Sequence, residues 1–180
     1  VMPTNLYGPG DNFHPENSHV MPALIRRFHE AKVEMERVRR EASGVRSNPS
    51  PDDHVVTVWG TGTPMREFLF VDDMADGSLY IMELDEAALA EHLLNYPAPC
   101  FVNLGTGIDV SIRELAETIK EVVGYRGGIR FDTSKPDGTP RKLQDVTRMK
   151  ALGWEAKVAL REGLERTYRW FLENQQNFRG

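Results

Sequence analysis

Residues 100 to 123, CFVNLGTGIDVSIRELAETIKEVV, restrict the fold more than any other stretch of the chain. The apolar run CFVNL, with the glycine-containing turn GTG after it, reads as a short strand over residues 100 to 107. Ser111 then stands three residues before Glu114. In that S-x-x-E pattern each side chain satisfies a main-chain N–H group at a helix start. Ile112, Leu115, Ile119, Val122 and Val123 follow with helical spacing and form one apolar stripe. Strand and amphipathic helix in direct succession are the unit of an α/β domain.

The rest of the chain repeats the alternation. VMPTNLYGPGDNFHPENSH carries Pro3, Gly8, Pro9, Gly10 and Pro15, and reads as the end of a strand followed by a long loop. Val20, Met21, Leu24, Ile25 and Phe28 predict a helix that runs past Glu30, with Ser18 as its N-cap. Residues 32–53 are charged, then rich in Ser, Pro and Asp, and read as a polar helical extension passing into a flexible insertion. HVVTVWG predicts a strand, TGTPM a turn and REFLFV a second strand. Asp72 and Asp73 lead into a helical pattern interrupted near Asp85. GIRFD predicts a further strand, SKPDGTPRK a polar loop, and DVTRMKAL a short helix capped by Asp145. The last helix is expected from Leu160 to Asn174, with Leu164, Tyr168, Phe171 and Leu172 inward. No internal repeat is present.

Composition narrows the function. With 40% hydrophobic and 27% charged residues in 180, the chain has the balance of one soluble globular domain. A net charge of -5 gives no general basic surface, so no nucleic-acid partner is expected. One cysteine, Cys100, excludes an internal disulfide framework and points to a reducing compartment, with the cytoplasm as the default. No apolar run approaches the roughly 18 residues of a membrane span, so no membrane partner is expected either. The start has no signal-peptide pattern. Nor does it open on a methionine, and an apolar pair running straight into a Pro/Gly-rich turn looks like a piece whose earlier half is absent.

GTGTPM and GTGIDV each contain G-x-G but lack the third glycine of a dinucleotide fingerprint, and both read as ordinary turns. No tyrosine has a lysine four residues later, so a Tyr/Lys dehydrogenase centre lies outside this sequence. His14 and His19 have no cysteine or H-x-x-x-H pair to support them, and no metal site is expected. His19 is open to two readings, a surface or capping residue and a general acid or base, because imidazole titrates nearest to neutral pH. Arg26, Arg27, Arg66, Arg141 and Lys142 are each solvated charges taken singly, and together a set able to hold a phosphate group. Trp59 suits either a base or sugar face or a packed core.

Five strings, taken in order, carry a resemblance over nearly the whole chain. They are PTNLYGPGDNFHPENSHVMPALIRRFHEA, VWGTGTPMREFLFVDDMADG, VNLGTG with SIRELAETI, KPDGTPRKLQDVTRMKALGW and TYRWFLEN. Together they resemble the C-terminal part of the GDP-L-fucose synthases, the GDP-4-keto-6-deoxy-D-mannose 3,5-epimerase/4-reductase branch of the extended short-chain dehydrogenases/reductases. PTNLYGP and REFLFVDD are similar to many nucleotide-sugar enzymes, whereas DNFHPENSHVMPALIRRFHEA and SKPDGTPRK point to the fucose synthase branch.

The resemblance implies an α/β fold. Residues 1–180 would form the substrate-binding C-terminal part of a Rossmann-type enzyme, edge elements of the Rossmann domain included, with the glycine-rich cofactor half missing. It places Pro3, Thr4, Asn5 and Leu6 at the edge of an NADP site, and makes His19 the active-site acid that also approaches the nicotinamide. Arg27, Trp59, Arg66, Asp137 and Lys142 would hold the GDP-sugar. In the family a cysteine shares the proton chemistry with this histidine and a Tyr/Lys pair handles the ketone oxygen. Those groups belong to the upstream half, and Cys100 matches none of them. The piece alone is therefore expected to be inactive, and the full-length enzyme to be a homodimer. A UDP- or dTDP-sugar epimerase or dehydratase of the same superfamily, or a non-catalytic nucleotide-sugar-binding module, stands as the alternative.

Overall fold

Ser111 and Glu114 make the reciprocal cap that their spacing predicts. The Glu114 N–H donates to the Ser111 hydroxyl at 3.1 Å, and the Ser111 N–H donates to the Glu114 carboxylate at 2.7 Å. The helix they open closes on Gly124, whose φ of 73° is left-handed.

In the computed structural model, which describes residues 1–42 and 54–177, strands and helices alternate as the sequence implies. In chain order they are β1 (Met2–Pro3), β2 (Asn5–Tyr7), α1 (Val20–Ala42), β3 (Val55–Trp59), β4 (Met65–Phe70), α2 (Val71–Met82) and α3 (Glu86–His92). β5 (Asn103–Leu104), β6 (Asp109–Ser111), α4 (Ile112–Val123), β7 (Gly128–Asp132), β8 (Arg141–Lys142), α5 (Thr147–Ala151) and α6 (Leu160–Asn174) follow. The chain divides into two compact units.

The first unit comprises Val1–Pro9, Met65–Val110 and Arg141–Thr167. Its centre is β4, which pairs with β2, β6 and β8. β2 runs parallel to β4 with Asn5 opposite Phe68, and β8 runs parallel to it with Arg66 opposite Lys142. β1 pairs with β5. Leu69, Leu93, Val102, Leu104, Met149 and Trp154 form the core. Burying each such side chain contributes about 1.5–3 kcal/mol. Gly77 of α2 is there because a Cβ at that position would lie 2.8 Å from Leu104 and 2.9 Å from Trp154. Asp73, 3% exposed, accepts the Lys157 and Val158 N–H groups at 3.1 and 2.9 Å, which fixes the approach to α6.

The second unit comprises Gly10–Pro64, Ser111–Pro140 and Tyr168–Gly180. β3 and β7 pair in parallel from Val55 opposite Gly128 to Trp59 opposite Asp132. α1 packs on α4. Leu24, Ile25 and Phe28 from α1 and Leu115, Ala116, Ile119 and Val123 from α4 are all buried. The Lys32 ammonium donates to the Val123 carbonyl at 2.9 Å, a cation on the carbonyl end of α4.

Several expectations change. The first bond of α1 runs from the Ala23 N–H to the His19 carbonyl at 3.0 Å, so His19 holds the N-cap position and Ser18 precedes it. The polar helical extension read at the start of residues 32–53 continues α1 to Ala42, and Arg37 pairs with Glu34 at 2.7 Å and Glu41 at 3.1 Å there. Residues 43–53 lie outside the described residues. The strand expected over residues 100–107 is only Asn103–Leu104. Asp145 accepts from the Thr147 N–H at 2.9 Å but sits one place before the cap, which Val146 occupies. Leu172 is 44% exposed. The polar loop SKPDGTPRK ends in β8, a strand too short to show in an apolar pattern.

Candidate functional site

In the first unit the parallel pairing of β4 and β8 sets Arg66 directly opposite Lys142. Like charges in facing positions repel. Neither is in an ion pair among the described residues, and the Arg66 guanidinium donates to the Met65 carbonyl at 2.7 Å. The preceding pair behaves differently. Arg141 grips Asp109 through two bonds of 2.6 and 3.1 Å, and this holds the Asp109 carboxyl below the usual range. Arg141 is thus engaged in an ion pair, while Arg66 and Lys142 have none among the described residues. Arg66 also borders a cavity of about 390 Å³, with Phe68, Ile108, Trp154 and Val158 in its wall.

Pro3 to Leu6 lie in the same unit. Asn5 donates through its amide to the Glu67 carbonyl at 2.7 Å, and Thr4 donates through its hydroxyl to the same oxygen at 3.4 Å. β1 and β2 each have one strand partner among the described residues, so the other edge of each offers N–H and C=O groups. Leu6 of β2 is exposed.

In the second unit β3 delivers Trp59 to its end, 64% exposed, which rules out the packed-core reading. Gly60 turns the chain with φ of 82°, and a Cβ there would meet Asp137 Oδ1 at 2.2 Å. Asp137 accepts the Thr61 N–H at 2.9 Å and the Thr61 hydroxyl at 2.7 Å. The hydroxyl bond first, and then the N–H bond, depress its carboxyl. The Lys135 ammonium lies 5.6 Å from the centre of the Trp59 ring. Arg27, half-buried on α1, donates to the Thr57 carbonyl at 3.5 Å, two residues before Trp59. Arg27, Trp59 and Asp137 therefore gather around the end of one strand.

His19 is exposed. Asp11, raised chiefly by burial and then lowered by the Asn12 N–H and the charge of His19, has one carboxylate oxygen buried without a partner. Arg26 is engaged with Glu30 at 2.6 Å and the Phe13 carbonyl at 2.8 Å. His14 accepts the Glu16 and Asn17 N–H groups through Nδ1, both at 3.1 Å, and so organises its own turn. Among the described residues no cluster of His, Cys, Asp or Glu could hold a metal ion, and no helix is long and apolar enough to cross a membrane. Of the residues marked in the sequence, the first unit thus carries Pro3 to Leu6, Arg66 and Lys142. The second carries His19, Arg27, Trp59 and Asp137. Sequence reasoning passed over Glu67, a fully buried carboxylate inside REFLFV, whose only signal is an acid between a cation and an apolar strand.

The model of the NAD dependent epimerase/dehydratase family matches residues 1–95, more than half of the chain. The chain belongs to this family. Within it, GDP-L-fucose synthase of Escherichia coli strain K12 is 57% identical over 180 residues, which are all of this chain and 50% of that one. GDP-L-fucose synthase 1 of Arabidopsis thaliana is 53% identical over 96% of this chain and 45% of its own. The chain spans about half the length of the curated relatives it matches. Among solved structures, a GDP-L-fucose synthetase from Naegleria fowleri bound to NADP superposes with a TM-score of 0.77 at 29% identity, over all of this chain and 48% of that one. A GDP-6-OMe-4-keto-L-xylo-heptose reductase from C. jejuni superposes with a TM-score of 0.79 at 34% identity, over 97% of this chain and 53% of that one. The Rossmann-like α/β fold of epimerases and reductases is thereby shown for this member of the family.

Proposed function

We propose that this chain is the substrate-holding part of an NADP-dependent GDP-L-fucose synthase. The full-length enzyme would convert GDP-4-keto-6-deoxy-D-mannose to GDP-L-fucose by 3,5-epimerisation and 4-keto reduction. The observation that carries the reading is the in-register pair Arg66 and Lys142, two cations that have no carboxylate partner among the described residues. A diphosphate neutralises both, and an arginine fork beside a lysine point charge suits its crowded oxygens. The names of the relatives supply the rest of the ligand, a guanosine diphosphate sugar.

The remaining residues then take roles. Trp59 offers an exposed indole face to the nucleoside or sugar, and Arg27 and Asp137 anchor polar groups near it. The ketone at C4 acidifies the hydrogens on C3 and C5, and each inversion removes a proton from one face and returns one to the other. His19 is assigned the return, delivering a proton to carbon. Reduced NADP, when bound, supplies the hydride for the C4 ketone, and the family resemblance assigns Pro3, Thr4, Asn5 and Leu6 to the edge of its site. Binding energy from the diphosphate, far from the reacting carbons, holds the ring in place through both steps. A cytoplasmic homodimer accompanies this reading.

The test is NADPH oxidation by the full-length enzyme supplied with GDP-4-keto-6-deoxymannose, with GDP-L-fucose identified as the product. Turnover of the corresponding UDP- or dTDP-sugar in preference to the GDP-sugar would overturn the assignment.

A further inference from the structure

We infer that Glu67 is a positioning residue for the substrate: its buried carboxylate ties together the loops that set Arg66 and Lys142 against one diphosphate. The inference rests on the function proposed above. Glu67 is 0% exposed, and no ion pair compensates it among the described residues. Burying a carboxylate is costly unless hydrogen bonds replace its water. Here Oε1 accepts the Gly107 N–H at 2.7 Å and the Thr106 hydroxyl at 3.4 Å, and Oε2 accepts the Gln144 N–H at 2.9 Å.

Both main-chain partners are donors, so the tie needs two acceptor oxygens on one side chain. An amide has one. Gln144 is two residues beyond Lys142, and Arg66 is the neighbour of Glu67 on the opposite face of β4. The main-chain carbonyl of Glu67 meanwhile receives Asn5 and Thr4. One residue therefore joins the turn after β5, the segment after β8 and the Pro3 to Leu6 edge. The fit is close: a Cβ on Gly105 would lie 2.3 Å from Oε1 and 2.9 Å from Cδ of Glu67.

The experiment compares full-length wild-type enzyme with Glu67→Gln, each checked by circular dichroism and thermal midpoint. Calorimetry measures GDP and NADPH binding, and steady-state assays separate KM from kcat. Glu67→Gln puts an NH2 group against an N–H donor, so GDP affinity should fall and KM should rise by about tenfold. NADPH affinity should stay within about twofold, because the carbonyl that meets Thr4 and Asn5 is main chain. In a Lys142→Met background the same substitution should add less than about twofold, since coupled residues are not additive. Full additivity, or equal loss of GDP and NADPH binding, would make Glu67 a general stabiliser and overturn the inference. Wild-type enzyme that binds GDP, with Glu67→Gln binding it equally well, would overturn the inference alone. Wild-type enzyme that binds no GDP would overturn the proposed function as well. Should Glu67→Gln fail to fold, Gly105→Ala displaces the same carboxylate from outside and is read by the same measurements.

Discussion

Lys142 stands opposite Arg66 across the parallel strands β8 and β4, while one position earlier Arg141 is held by Asp109 at 2.6 Å. The contrast separates a cation held in an ion pair from two that have none among the described residues, which the proposed function gives to a diphosphate. In the full-length enzyme, Lys142→Met and Arg66→Met should each weaken GDP binding about tenfold, the scale of one charge-assisted bond. The thermal midpoint of the ligand-free protein should hold or rise, because removing one cation relieves repulsion. Arg141→Met should do the reverse and lower the midpoint. Titration calorimetry and thermal melts read both, and weaker GDP binding for Arg141→Met than for Lys142→Met would reverse the assignment.

Asp137 closes the turn after Trp59 through Thr61. Its carboxyl is depressed, so the folded state releases this proton more readily than the unfolded chain does. The stability it contributes is complete above the ordinary carboxylate range, about pH 4, and is lost as pH falls through the lower folded value. Asp137→Ala should flatten that acid limb in thermal melts and raise KM for the GDP-sugar, because the turn carrying Trp59 is released. An unchanged KM would confine Asp137 to the fold.

Much of this was legible in the sequence, for identifiable reasons. The cap at Ser111 and the stripe behind it depend on residues within a few positions of one another, and local spacing records them. Trp59 was open between core and surface because strand periodicity does not reveal which face a neighbouring element covers; its place at the end of β3, opposite Asp132 of β7, does. The register of Arg66 with Lys142 joins residues far apart in the chain, and no short window contains it. Glu67 escaped for the same reason. Its main-chain partners are Gly107 and Gln144, and an acid within an apolar strand carries no local mark of what will satisfy it. Leu172 differs the other way, since helical spacing gives it an inward place that no element among the described residues covers fully.

His29 on α1 meets the Tyr168 hydroxyl through Nδ1 at 3.0 Å. Burial first, and then the charge of Lys32, push its imidazole below the ordinary value, with Glu30 and Glu36 acting against them. A lowered folded value means that the unfolded chain binds the proton more readily. Stability from this site is therefore present above about pH 6.5 and declines as pH falls below it. Thermal melts of the full-length enzyme between pH 7.5 and pH 5.5 should show a decline that His29→Phe reduces, at roughly these pH values. Equal slopes for the two proteins would remove His29 from the acid response.

His19 holds the N-cap position of α1 through its main chain, because its carbonyl takes the Ala23 N–H at 3.0 Å. Among the described residues no hydrogen bond to its ring is found, and the ring is exposed. His19→Gln should therefore leave the helix start, and the thermal midpoint, nearly unchanged. If the ring returns a proton to the sugar, the same substitution should slow epimerisation by about 10²–10⁴-fold, the usual contribution of a positioned acid or base. Deuterium uptake from solvent at C3 and C5 measures that step apart from hydride transfer, and GDP calorimetry measures binding. Exchange should collapse while GDP affinity holds. Loss of both in proportion would make His19 a residue of the fold, and exchange at the wild-type rate would assign the proton to another group.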